Sequence, residues 1–270
     1  MQIKNYHIAM FAGAVAVGVM TFIFDVTPLD LVISKAFFFP LNPVHFPIGS
    51  LMPWAWFNAN ENDLTVVLYG IALFLLLVGL ARPRFRPFIV YALFIVAAGI
   101  VGPELIVNFL LKGEMIGGIY IGWSRPRPYQ IAIFGGTEPF YYVWQPAFLA
   151  GLKIPDSSFP SGHVVTGSIF IVIYLVFNNT TFIAAMIGGV TKRKVIVLKT
   201  VKYGGLVAAV FLGSMLTIAR ISAGAHFASD CMYSFVFTWF PSAILYYWVF
   251  NIPKLEQKAM KNYVLGAPAA

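Results

Sequence analysis

Acidic side chains are scarce in this chain: ten Asp and Glu stand against 18 Lys and Arg in 270 residues, and charged residues make up only 10% of the sequence. A soluble domain keeps about 25% charged residues to hydrate its surface, so an ordinary soluble fold is excluded. Cysteine is almost absent. The single Cys231 cannot make an internal disulfide or a cysteine-based metal centre, and its place in an apolar run reads as packing. Only four histidines occur, at positions 7, 45, 163 and 226, so the company each keeps is informative. Neither a repeat nor a low-complexity tract divides the chain, and a single domain over residues 1–270 is expected.

What the chain has in abundance is apolar surface, with 60% hydrophobic and 17% aromatic residues. That composition belongs in a bilayer. Apolar runs near 7–24, 64–81, 88–111, 163–177, 204–218 and 231–250 predict six spans, the first too long for a signal core and therefore expected to be retained. Between the first two, Pro28, Pro40, Pro43, Pro47 and Pro53 forbid one long helix, and the aromatics among them predict short segments at headgroup level. The expected fold is all-α: a polytopic six-helix bundle with interfacial segments on one side.

Six spans place both termini, the Arg82 turn and a basic loop over residues 178–203 on one side. That side collects Lys4, Arg82, Arg84, Arg86, Lys192, Arg193, Lys194, Lys199, Lys202, Lys254, Lys258 and Lys261, with Glu256 its only acid. The positive-inside rule makes it cytoplasmic, and the net charge of +8 is then a membrane-surface property and no sign of a nucleic-acid partner. The third span carries Glu104, Asn108 and Lys112 at four-residue steps, one helical face that should point into the bundle.

The opposite side holds three polar cassettes at the ends of spans. Ala219-Arg220-Ile221-Ser222-Ala223-Gly224-Ala225-His226-Phe227-Ala228-Ser229-Asp230 sets a carboxylate one helical turn after a histidine, so that Asp230 can hold one imidazole nitrogen and leave the other to act. Phe159-Pro160-Ser161-Gly162-His163 offers a second histidine at a helix start. Trp123-Ser124-Arg125-Pro126-Arg127-Pro128 offers two guanidiniums suited to an oxyanion. Singly these read as a cap, a turn and a basic membrane flank; together, on one face, they describe a phosphate-handling site. Ser161 as a nucleophile with His163 as its base ranks lower, since no carboxylate pairs obviously with His163, Asp156 being the nearest candidate.

The three cassettes, in this order, resemble the signature of the type-2 phosphatidic acid phosphatase superfamily, which reads Lys-x6-Arg-Pro, Pro-Ser-Gly-His and Ser-Arg-x5-His-x3-Asp. The second motif is matched in full by residues 160–163. The third is matched at Arg220, His226 and Asp230, with Ala219 in the place of serine. The first departs: seven residues before the Arg-Pro pairs stand Gly118 and Tyr120, and Lys112 is the nearest lysine, across an insertion with Gly113, Gly117, Gly118 and Gly122. Family members with Arg-x-Arg-Pro include bacterial lipid A phosphatases, which makes Arg127 the counterpart and Arg125 an added phosphate contact.

The resemblance implies a metal-independent and cofactor-free hydrolase in which His226 attacks phosphorus, Asp230 fixes its tautomer and His163 is the general acid and base. Lys112, Arg125, Arg127, Ser161, Gly162 and Arg220 would bind the phosphate. The expected partner is a phosphorylated membrane lipid, met by a monomer in the bacterial inner membrane with its site facing the periplasm. Lipid A, phosphatidylglycerol phosphate, phosphatidic acid and polyprenyl pyrophosphate are the candidate substrates, with lipid A favoured. Rival readings are a lipid-to-lipid phosphotransferase using the same site and a transporter built on the Glu104 stripe.

Overall fold

A computed structural model describes residues 5–112, 114–116, 119–154 and 157–264; Gly113, Gly117, Gly118 and Asp156 lie outside the described residues. The protein is an all-α, polytopic membrane protein whose described residues also hold a short two-stranded antiparallel hairpin, β1 Glu114–Ile116 with β2 Ile119–Ile121, which pairs Glu114 with Ile121. Four helices are long and apolar enough to cross a membrane, and two further bent helix pairs bring the number to six if each is one span.

The first span is α1, Asn5–Val26. It stands at the edge of the bundle with Phe11 and Phe22 exposed, held near its C-terminal end by a hydroxyl contact of 2.5 Å between Thr21 and Tyr233. The proline-rich segment breaks up as expected, into α2 Leu29–Lys35, a single turn at Pro47–Ser50 and α3 Trp54–Ala59. Then α4, Glu61–Ala81, crosses. Its partner α5, Pro87–Gly99, runs on as a wider π-helical stretch over Ile100–Leu111. Pro103 lies in that stretch and can donate no backbone hydrogen bond; the helix adjusts by widening, closing with a bond of 3.1 Å from the Lys112 amide to the Val107 carbonyl.

The fourth apolar run is not one straight helix. It divides into α6 Gly162–Ser168 and α7 Ile171–Val176, and α8 Thr180–Met186 follows at a 70° bend, its start capped by the Asn179 side chain accepting from the Phe182 amide at 3.1 Å. The expected basic loop is a correction: from Lys192 onward it is the first third of the 31-residue helix α9, Lys192–Ser222, capped by Thr191. Lysine and arginine are good helix formers, and after the cap no proline interrupts the run. The sixth span is α10, Ala228–Ile244, which widens over Leu245–Val249 and bends 41° into α11, Ile252–Val264.

Close backbone approach sets the bundle. A Cβ on Gly167 of α6 would lie 2.7 Å from the Gly213 amide nitrogen of α9, so small residues let these two helices touch. The largest buried cluster joins α4, α5, α7, α8 and α9 through residues such as Leu68, Phe94, Val172, Phe182 and Ala209. Smaller clusters, Phe46 with Ile131, Phe134 and Phe227, and Val164 with Leu216, Ile221 and Cys231, lie beneath the polar cassettes.

Candidate active site

Backbone hydrogen bonds join the cassettes before any side chain does. The Ser157 amide donates to Lys112 at 2.7 Å, the Ser158 amide to Arg125 at 2.8 Å, and the Tyr129 amide to Gly224 at 3.1 Å. Gly224 has φ +65°, and a Cβ there would stand 2.5 Å from the ring of Phe46; glycine alone lets α9 end and the chain turn into His226.

His226 lies in the loop before α10, fully buried. Its Nδ1 meets the carbonyl of Ser158 at 2.5 Å. A carbonyl only accepts, so Nδ1 carries the proton and Nε2 the lone pair. That Nε2 has no hydrogen-bond partner. Burial, then the charges of Arg127, Arg220 and Lys112, push the His226 imidazole well below the ordinary histidine pKa, against the opposing pull of the Ser158 carbonyl. It is a neutral, desolvated base in the field of three cations.

The tautomer is therefore set otherwise than the sequence predicts. Asp230 sits in the first turn of α10, not one turn below a helical His226, and its Oδ2 is 3.9 Å from Nδ1. Its oxygens are taken by Arg125 at 2.6 Å, by the Phe227 amide at 2.7 Å and by the Ser158 hydroxyl. Asp230 thus braces the carbonyl-bearing loop that holds His226.

Arg125 is likewise corrected. Its guanidinium is fully buried, bonded to Asp230, to Asp30 at 2.8 Å, to the Ser229 hydroxyl at 2.8 Å and to the Tyr141 carbonyl at 2.9 Å, with the Phe227 ring 4.4 Å away. Burial disfavours its charge, but the carboxylates of Asp230 and Asp30 outweigh that and raise its pKa further. With four of its five N–H donors bonded within the protein and the whole group buried, it is a strut and not a phosphate contact. Asp30, from α2, also accepts from the Ser229 amide at 2.9 Å.

The remaining cations converge. Arg220, Lys112 and Arg127 act electrostatically on His163 as they do on His226, so both imidazoles face one set of three positive charges. Lys112 crosses the glycine-rich insertion: a Cβ built on Gly162 would lie 3.5 Å from its Nζ. Arg220 is steadied by Asn58 of α3 at 3.3 Å, and Arg127 bonds the Ala225 carbonyl at 3.2 Å. Ser161 is held by Ser234, whose hydroxyl accepts the Ser161 amide at 3.0 Å and donates to its carbonyl at 2.9 Å. The Ser161 hydroxyl is buried and without a partner, a donor waiting for an anion.

His163, in the first turn of α6, has a partner that sequence reasoning missed. Its Nε2 is 3.1 Å from Oε1 of Glu61, at the start of α4. Glu61, Asp30, Ser158 and Ser234 carry no motif spacing; the only signal for the two acids is that carboxylates are rare on this chain. The Glu104–Asn108–Lys112 face does not turn wholly inward. It lines a cavity of about 250 Å³ between α4, the π-helical stretch and α6, which His163 and Glu61 share. His7 and His45 stand apart, beside Trp248 and Phe38 respectively.

The profile of the PAP2 superfamily matches residues 92–254, taking in all of this site except Asp30, Asn58 and Glu61. Similar curated proteins include a lipid A 4'-phosphatase of Francisella tularensis subsp. novicida, 27% identical over 187 residues that cover 67% of this chain and 70% of that protein. A lipid A 4'-phosphatase of Rhizobium etli is 34% identical over 132 residues, 48% of this chain and 39% of its own. One of Rhizobium leguminosarum is 28% identical over 147 residues, 54% and 48%; the matches thus span less than half the length of both rhizobial relatives. No solved structure matches.

Proposed function

This chain belongs to the PAP2 superfamily, and from that premise we propose that it is a membrane lipid phosphatase that hydrolyses a phosphomonoester of an envelope lipid, lipid A foremost, at the periplasmic face of a bacterial inner membrane. The observation that carries the reading is the pairing of His226 and His163 in the field of the same three cations, with the lone-pair nitrogen of His226 buried and unpartnered. The similarity to three lipid A 4'-phosphatases supports the choice of lipid.

In this reading Nε2 of His226 attacks phosphorus as the ester P–O bond breaks, and the departing oxygen takes a proton from His163. Water then gives a proton to His163 while its oxygen attacks phosphorus, the P–N bond breaks and inorganic phosphate leaves. Lys112, Arg127, Arg220, the Ser161 hydroxyl and amides at the start of α6 neutralise charge on the nonbridging oxygens, the principal demand of phosphoryl transfer. The lipid tails stay in the bilayer throughout, and no second protein is required.

The test is phosphate release by the purified protein from defined lipids, with trapping of an acid-labile phosphoenzyme. Release from none of lipid A, phosphatidylglycerol phosphate, phosphatidic acid or polyprenyl pyrophosphate removes the reading.

A further inference from the structure

The cavity between α4, the π-helical stretch and α6 has a chemistry the phosphate site does not use. Its wall near the cradle is His163, Gly162 and Lys112. Beyond them Glu61, Thr65, Tyr69, Glu104, Asn108 and Thr166 offer groups able to bond hydroxyls or amides, set among apolar Leu68, Pro103, Val165 and Ile169. Glu61 to Tyr69 is eight residues of α4, so the cavity descends about 12 Å from the outer end of the span. Gly99 gives Tyr69 its place: a Cβ there would stand 2.6 Å from the tyrosine oxygen. Asn108 donates to Glu104 at 3.3 Å. Val66, Leu105 and Phe109 are exposed on the same helices, an apolar border facing lipid tails.

Position assigns this space a role. In phosphoryl transfer the entering and departing groups lie roughly in line on opposite sides of phosphorus. The cavity is lined by His163, the acid for the departing oxygen, and not by His226, so it lies on the leaving-group side. Its volume falls just short of the roughly 300–1,000 Å³ of pockets for drug-sized ligands, which is room for one ring-sized polar group. Two carboxylates in the lining oppose an anionic leaving group. A pyrophosphate ester departs as a phosphate and is disfavoured; a neutral alcohol rich in hydroxyls is accommodated.

We propose, resting on the phosphatase reading, that this cavity is the leaving-alcohol subsite and that Thr65, Tyr69, Glu104 and Asn108 make the enzyme select a phosphorylated sugar lipid over glycerol-based and pyrophosphate lipids. The protein is assayed in nanodiscs on a lipid A disaccharide bearing a 4'-phosphate, on dioleoyl phosphatidic acid and on undecaprenyl pyrophosphate, with p-nitrophenyl phosphate as a reference whose ring carries no further hydroxyl or amide for the lining to bond. The ratio of kcat/KM on the sugar lipid to that on the aryl phosphate falls at least tenfold in Glu104→Gln and in Tyr69→Phe, and further in the double variant. Parallel loss on both substrates, or an unchanged ratio in folded variants, overturns the inference. Wild-type protein that hydrolyses phosphatidic acid or the pyrophosphate in preference to the sugar lipid also overturns it while leaving the phosphatase reading in place; release from no substrate removes both.

Discussion

The carboxylate of Glu61 stands 3.1 Å from Nε2 of His163, although the two residues belong to different spans and Glu61 lies outside the stretch that the superfamily profile matches. Three cations crowd the same imidazole, so protonating it adds a fourth positive charge. Glu61 is the carboxylate in ion-pair range that offsets this charge. Glu61→Gln is expected to lower kcat on a lipid substrate by about 10–100-fold, within the range for impaired general acid–base catalysis. On p-nitrophenyl phosphate, whose leaving group needs little protonation, the loss shrinks. Equal losses on the two substrates would show that Glu61 does not act through His163.

The two arginines of the Arg-Pro-Arg-Pro cassette are predicted to fail differently. Arg125 is fully buried between two carboxylates, and truncating one member of such a network costs about 3–5 kcal/mol because charges are left unpaired. Arg125→Ala therefore lowers Tm and the yield of folded protein in detergent. Arg127→Ala, which leaves no buried carboxylate pair behind, is expected to lower Tm less while kcat/KM collapses. Thermal denaturation alongside steady-state kinetics separates the two.

Loss of each histidine should arrest a different step. His226→Ala folds but forms no phosphoenzyme from any substrate. His163→Ala, given p-nitrophenyl phosphate, still forms it and then turns over slowly, because water lacks its base. Quenched-flow trapping at neutral pH reads both outcomes; a trapped phosphoenzyme in His226→Ala would move the nucleophile elsewhere.

The pH response of His226 has a definite sign. Its folded pKa lies well below the ordinary value, so the native nucleophile stays unprotonated in mild acid where the unfolded histidine, near pH 6.5, already binds a proton. Phosphoenzyme formation from the aryl phosphate should thus keep its imidazole-dependent limb well below pH 6.5. The contribution of this residue to stability is full above about pH 6.5 and is lost as pH falls from there through the folded pKa. An acid limb in the rate of phosphoenzyme formation that is centred at 6.5 and vanishes in His226→Ala would contradict this.

What the sequence determined by itself was set by composition and short spacing. Apolar runs gave the spans because a bilayer demands internally satisfied helices, prolines gave the broken interfacial segment, and the His163 and His226 cassettes could be read because their residue types are rare on this chain. Tertiary structure alone decided the partners. Arg125 and Arg127 are two residues apart with the same side chain, yet one is bonded to Asp30 and Asp230 and the other to the Ala225 carbonyl. Asp230 has the spacing to hold His226, yet the Ser158 carbonyl does so. Glu61 reaches His163 across 102 positions of sequence. Hydrogen bonds and ion pairs are decided within about 3 Å, and which groups come that close depends on how the helices pack, which no local pattern of residues encodes.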